Sequence, residues 1–184
     1  MTVVVLAGIP GSGKSTLATQ LAAALAIPMI SKDVIKEALM DALGSGELQW
    51  VNKLSRASHL VMYDLVRTFA TDVLIEAHFH GGVAEADLHA LGLPLVQVFC
   101  RCPVAVAWDR YQKRRDDPLR HRGHRLEHQD ESATLSWRTS DPRPLDLDGP
   151  LVEVDTATSV DIESLANVVR PLLAIGNNHS DRTR

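Results

Sequence analysis

Apolar positions along this chain follow two periods. Residues 3–7, 28–30, 72–76, 95–100 and 151–154 form short, nearly continuous apolar runs rich in Val, Ile and Leu. Runs of that length, bounded by glycine, proline or charge, are the pattern of strands buried on both faces. Between them the spacing changes to three and four. Residues 17–26 are an Ala/Leu stretch of high helix propensity. Residues 33–43 carry Val34, Ile35, Ala38, Leu39 and Ala42 at helical spacing and stop at Gly44. Residues 47–70 predict a long amphipathic helix or a broken pair, with Trp50 and Met62 as core or pocket wall and His59 as a satisfied or exposed helix histidine. Further helices are predicted over 83–91, from Pro103 to about Arg115, over 128–139, and over 161–174, where Pro171 marks the end or a kink. Strands alternating with helices predict an α/β fold. It is a three-layer sandwich, with a five-stranded parallel sheet, right-handed crossovers and helices on both faces.

The length of 184 residues suits one domain, over about 1–175, with a flexible tail at 176–184 that has too little apolar content to pack. A composition of 45% apolar and 23% charged residues is ordinary for a globular protein. The net charge of −4 gives no support to a nucleic-acid coat or a membrane surface. No apolar run approaches the ~20 residues of a membrane span. Cys100 and Cys102 sit two apart in one strand and form no disulfide framework, so a cytoplasmic location is expected.

One stretch departs from this acidic background. Between 101 and 128 stand Arg101, Arg110, Lys113, Arg114, Arg115, Arg120, Arg122 and Arg125, with His121, His124 and His128. An i,i+4 pair explains Asp109 with Lys113. The cluster around Gly123 predicts a mobile basic lid over about 114–128 that closes on phosphates. A nucleic-acid groove is the competing use, but no aromatic lies between Tyr111 and Trp137 to stack bases.

The sharpest chemical signal follows the first strand. Gly8-Ile9-Pro10-Gly11-Ser12-Gly13-Lys14-Ser15 matches G-x-x-x-x-G-K-[ST] at every fixed position, with a strand before it and a helix after it. The glycines let backbone N–H groups wrap a phosphate, and the helix start favours an anion. Lys14 reaches the β- and γ-phosphates, and the Ser15 hydroxyl is a Mg²⁺ ligand. Binding of ATP or GTP is the direct implication, with Gly8, Pro10, Gly11, Ser12, Gly13, Lys14, Ser15 and Thr16 as the nucleotide-binding residues. Asp33, one strand end away, is either a carboxylate favoured by a helix N-terminus or the base that takes a proton from an acceptor hydroxyl. Residues 72–76 resemble a Walker B strand with Glu76 in place of the usual aspartate, and Glu76 would then serve the Mg²⁺ site. His78 and His80 alternate with Glu76, so on a continued strand all would share a face. Substrate contact fits them better than a separate transition-metal site, because ligands of open α/β sheets bind at the carboxyl ends of strands.

Together these residues resemble the small P-loop kinases of the AAA_33 and polynucleotide-kinase-like group, which includes chloramphenicol phosphotransferases, gluconate kinases and zeta-toxin relatives. The resemblance spans about residues 1–175. It rests on 8–16, Ser31-Lys32-Asp33, the strand end at Glu76, Cys102-Pro103 with Arg110 and Arg114, the basic lid and Val154-Asp155-Thr156. It implies ATP with Mg²⁺ as donor, a hydroxyl of a sugar, nucleoside or antibiotic type of small molecule as acceptor, and Asp33 as base. Arg114, Arg120 and Arg122 would stabilise the transferred phosphoryl group, while Asp155 and Thr156 would lie near the adenine. Lys36 stands where polynucleotide kinases carry an arginine, and a lysine lacks that residue's bidentate fork. A polynucleotide 5′-hydroxyl kinase, a toxin kinase acting on a nucleotide sugar, and a non-catalytic nucleotide-binding switch remain as alternatives.

Overall fold

The computed structural model describes residues 1–115, 117–118, 120–121, 123 and 142–179. Five parallel strands form one sheet: β1 (Val3–Ala7), β2 (Met29–Ser31), β3 (Val73–Glu76), β4 (Leu95–Arg101) and β5 (Leu151–Asp155). Their order across the sheet is β2-β3-β1-β4-β5, so β1 is central and β2 and β5 are the edges. The helices are α1 (Lys14–Leu25), α2 (Lys32–Leu43), α3 (Leu48–Val66), α4 (Ala84–His89), α5 (Val104–Arg115) and, after β5, α6 (Ile162–His179).

The alternation of side chains along each strand builds two separate cores. Val3, Val5 and Ala7 of β1 join Val73 and Ile75 of β3 and Phe99 of β4 on one face, against Met62, Tyr63 and Val66 of α3 and Leu88 of α4. Val4 and Leu6 join Leu74, Val96 and Val98 on the other, against Leu17, Ala18 and Leu21 of α1 and Leu165, Ala166 and Val169 of α6. Both faces are covered, which is why β1 and β3 are apolar without alternation. The expected three-layer α/β architecture is the one observed.

Several boundaries move. The edge strand β2 is set one residue later than its apolar run, because Ser31 pairs with Glu76 and extends the ladder. α3 ends at Val66 rather than Ala70, where Thr68 turns its hydroxyl back to the Leu65 carbonyl. Met62 is fully buried as expected, but Trp50 is exposed on the outer surface with its indole N–H donated to the Gly44 carbonyl. α6 passes through Pro171 and runs on to His179, so the expected tail begins inside it. The helix expected over 128–139 lies outside the described residues, as do Arg122, His124 and Arg125 of the predicted lid and the last five positions, 180–184.

Candidate active site

All five strands deliver their carboxyl ends to one edge of the sandwich, where open α/β sheets bind ligands. The loop from β1 to α1 lies at the centre of that edge. Gly11 and Gly13 have φ of +83° and +90°, conformations that a side chain resists. A Cβ on Gly11 would overlap the Ala107 carbonyl, so the loop is pressed against α5. The Ile9 carbonyl accepts the Ser12 N–H at 3.1 Å and the Lys14 ammonium at 3.0 Å, which folds Lys14 across its own loop. Lys14 is buried, and that burial lowers its pKa against the opposing pull of Glu76, Cys100 and Asp33. A buried ammonium next to a glycine cradle is a site that gains from an incoming polyphosphate.

Glu76 ends β3 beside the loop and is only 2% exposed. Its Oε1 accepts the Ser15 hydroxyl at 3.3 Å, and its Oε2 accepts the Ser31 hydroxyl at 2.9 Å. A hydroxyl and a carboxylate form an all-oxygen donor set, which fits Mg²⁺. Among the described residues no group of three His, Cys, Asp or Glu is arranged to hold a metal ion, so the Glu76–His78–His80 alternation builds no transition-metal centre. β3 stops at Glu76, yet the alternation persists beyond it, and the His78 and His80 rings pack at 4.5 Å.

A second side of the site is built by the first turn of α2, the chain after β3, and α3. The Lys32 ammonium donates to Asp33 Oδ1 at 2.9 Å, joining a buried lysine to a half-exposed carboxylate. Asp33 also lies close enough for its charge to reach Lys14 and His78. Lys36, one turn on, is buried. Burial, together with the charges of Lys14 and Lys32, holds His78 well below the usual imidazole range, so it is neutral at pH 7. Partial desolvation and Lys32 lower His80 in the same direction. His59 of α3 belongs to this group: its Nδ1–H donates to the Ser55 carbonyl at 3.0 Å, and its ring lies 6.1 Å from Phe79.

On the opposite side, α5 and the chain after β5 approach the loop. Arg110 donates to the carbonyls of Thr156 and Ala157 at 2.8 and 2.9 Å, fixing the turn that follows β5. Asp155 Oδ1 accepts the Ala157 N–H at 2.9 Å within that turn. Thr156 is buried, with its hydroxyl donated to the Arg101 carbonyl, and its Cβ lies 4.0 Å from where a Cβ on Gly13 would stand. The turn therefore borders the phosphate loop at the Thr156 side chain, whose hydroxyl is turned back to the sheet. Arg114 is exposed at the end of α5, near enough for its charge to act on Lys14. Arg120 lies over the Tyr111 ring at 5.7 Å, and His121 Nε2 meets Asp41 Oδ1 of α2 at 3.0 Å. The described part of the basic segment thus rests on α5 and α2.

Ser31, Lys32 and Arg110 hold the functional groups in place but were not singled out for that role by the sequence. Ser31 and Lys32 stand beside the candidate base, and Arg110 lies one turn before Arg114, so a signal was present. Their partners depend on strand register, which no single stretch encodes.

The family model described as an AAA domain, AAA_33, matches residues 3–135. The chain belongs to the AAA_33 family. Its match to the cytidylate kinase of Ignicoccus hospitalis is 36% identical over 92 residues, covering 46% of this chain and 51% of that protein, so it spans about half the relative's length. Among solved structures, a protein of Chloroflexus aurantiacus J-10-fl, whose kinase assignment is itself provisional, superposes with a TM-score of 0.84 at 26% identity. That match covers 94% of this chain and 98% of the other. A gluconokinase from Sinorhizobium meliloti 1021 gives a TM-score of 0.55 at 19% identity over 100% of this chain and 97% of its own, a likeness of fold alone. This AAA_33 protein has the architecture of the small P-loop kinases, and no helix among its described residues is long and apolar enough to cross a membrane.

Proposed function

We propose that this AAA_33 protein is an ATP-dependent kinase that moves the γ-phosphate to a hydroxyl of a small molecule. The observation that carries the reading is the convergence of two carboxylates on the phosphate loop from adjacent strand ends. Glu76 is bonded to Ser15, and Asp33 lies within electrostatic reach of Lys14. A switch needs the first carboxylate but has no use for the second. A phosphotransferase needs both, one for the metal side and one for the acceptor proton.

In this reading the glycine loop and Lys14 hold the donor phosphates, and the Ile9 carbonyl gives up its bond to Lys14 when they bind. Ser15 and Glu76 would hold Mg²⁺, which would supply charge neutralisation to the donor phosphates. Asp33 orients the acceptor hydroxyl and takes its proton as the oxygen attacks phosphorus. His78 and His80, kept neutral, contact the acceptor as donor or acceptor of hydrogen bonds, and Lys36 lends positive charge to the same side. Arg114, with Arg120 and Arg122 of the basic segment, offsets charge on the transferred group. The turn at Asp155 and Thr156 borders the adenine, and positioning supplies most of the rate.

The test is Mg²⁺-dependent ATP turnover against a panel of hydroxyl acceptors: sugars and sugar acids, nucleosides, aminoglycosides and chloramphenicol-like antibiotics, with nucleoside monophosphates and a 5′-hydroxyl oligonucleotide included. Stimulation by a small hydroxyl compound, lost in Lys14→Ala, is the expected result. Stimulation by the oligonucleotide alone would replace the acceptor class. Tight ATP binding with no transfer to any member of the panel would favour the nucleotide-binding switch.

A further inference from the structure

The carboxylate at the end of β3 is one methylene longer than the aspartate usual at a Walker B strand end, and the extra torsion needs a restraint. Each oxygen of Glu76 has a separate hydroxyl partner: Ser15 on Oε1 at 3.3 Å and Ser31 on Oε2 at 2.9 Å. Ser31 is the last residue of β2 and the ladder partner of Glu76, so the restraint comes from the neighbouring strand where both strands end. A serine hydroxyl has one proton and two lone pairs. When Ser15 gives its proton to Glu76, the lone pairs are left for a cation. If Glu76 rotated away, that proton would be free to point at the metal and oppose it.

We propose, on the kinase reading above, that Ser31 is a positioning residue for the metal site: it locks Glu76 so that Ser15 presents bare lone pairs to Mg²⁺. Lys32 and Asp33 follow Ser31 directly, so the same residue ties the metal side to the acceptor side. Ser31 acts in this proposal through its bond to Glu76 and not on the nucleotide itself. Its contribution is therefore visible in metal dependence rather than in nucleotide contact.

The experiment measures calorimetrically the affinity for a non-hydrolysable ATP analogue, once with Mg²⁺ and once with EDTA, for wild type, Ser31→Ala and Ser31→Thr. Mg²⁺ should tighten binding to wild type, and Ser31→Ala should lose about tenfold of that tightening, the scale of one hydrogen bond to a buried charged group. Its affinity in EDTA should be unchanged, and Ser31→Thr, which keeps the hydroxyl, should restore most of the loss. The Mn²⁺ resonance of the nucleotide complex should broaden in Ser31→Ala and not in Ser31→Thr. In a Glu76→Asp background the shorter side chain cannot reach both hydroxyls, so adding Ser31→Ala should cost little more. Equal Mg²⁺ tightening in wild type and Ser31→Ala overturns the proposal. So does an equal loss with Mg²⁺ and EDTA, because Ser31 would then shape the loop rather than the metal site. Wild type without any Mg²⁺ tightening removes the metal assignment of Ser15 and Glu76, and this proposal with it, whereas transfer to the hydroxyl panel tests the kinase reading separately.

Discussion

Gly11→Ala is the substitution whose cost the structure specifies most completely, and Gly44→Ala is its control. Both glycines have positive φ, +83° at Gly11 and +81° at Gly44, the latter with an extended ψ of 155°, so each alanine meets a backbone penalty of about 1–3 kcal/mol. They differ in surroundings. Nothing lies within 4 Å of a Cβ on Gly44, whereas a Cβ on Gly11 falls on the Ala107 carbonyl. That obstacle is backbone in the first turn of α5, so it cannot rotate aside; the loop or the helix must shift. Forced overpacking of this kind costs about 1–3 kcal/mol more. Gly44→Ala should therefore lower Tm by about 2–4 °C for each kcal/mol of that penalty, and Gly11→Ala by about 2–12 °C more in a chain of this size. The functional cost should be larger in proportion. Moving α5 displaces Arg110 and Arg114 relative to the phosphate loop, so ATP affinity should fall at least about tenfold in Gly11→Ala and stay unchanged in Gly44→Ala. Scanning calorimetry and nucleotide titration on the two variants measure this. Equal loss of Tm in both, with ATP affinity retained in Gly11→Ala, would refute the tight apposition of loop and α5.

Three other outcomes are expected. Asp33→Asn should lower kcat by about 10²–10⁴ while leaving ATP affinity intact, whereas Lys14→Ala should remove both; wild-type turnover by Asp33→Asn would dismiss it as the base. Arg110→Ala releases the two carbonyls of the turn after β5, and should raise KM for ATP about tenfold with a smaller change in kcat, checked by steady-state kinetics. His59, His78 and His80 all have folded pKa values below the unfolded value of 6.5, so the unfolded chain binds more protons at acid pH. Stability should thus be level above pH 6.5 and decline below it, with a limiting slope of about 1.4 kcal/mol per pH unit for each imidazole that stays neutral; His78→Gln should flatten the decline seen in denaturant titrations between pH 6.5 and 5.

The sequence made the centre of the molecule legible and its margins much less so. β1, the glycine loop and α1 form one continuous stretch, so local pattern fixes both the elements and the anion site. The two-sided burial of β1 and β3 was likewise readable from their unbroken apolar runs. Glu76 was visible as a strand-end carboxylate, but its hydroxyl partners were not, because Ser31 meets it only through the register of β2 against β3. The same limit hid the hold of Arg110 on Thr156 and Ala157, 46 and 47 positions away in the chain. Trp50 misled because amphipathic spacing reports a helix face without reporting which neighbour covers it: in α3 the positions turned inward are Val51, Leu54, Ser58, Met62, Tyr63 and Val66. The basic segment declared its charge but not its contacts, and Arg120 is parked on Tyr111 where only cationic reach was anticipated.

The strand order β2-β3-β1-β4-β5 divides labour within this protein. The phosphate loop and its carboxylate hang from the two strands β1 and β3, which are buried on both sides. Of the residues that would meet an acceptor, Asp33 and Lys36 follow β2 at one border while His78 and His80 follow β3, and the turn held by Arg110 follows β5 at the other border. A border strand has a single neighbour, so its terminal loop can lengthen, shorten or change charge while the central pair keeps its packing. Such a sheet is a chassis with two exchangeable ends. Grafting the segment from β2 through α2 between members of this family should shift the share of acceptor choice that Asp33 and Lys36 carry while leaving β1 and β3 packed as they are.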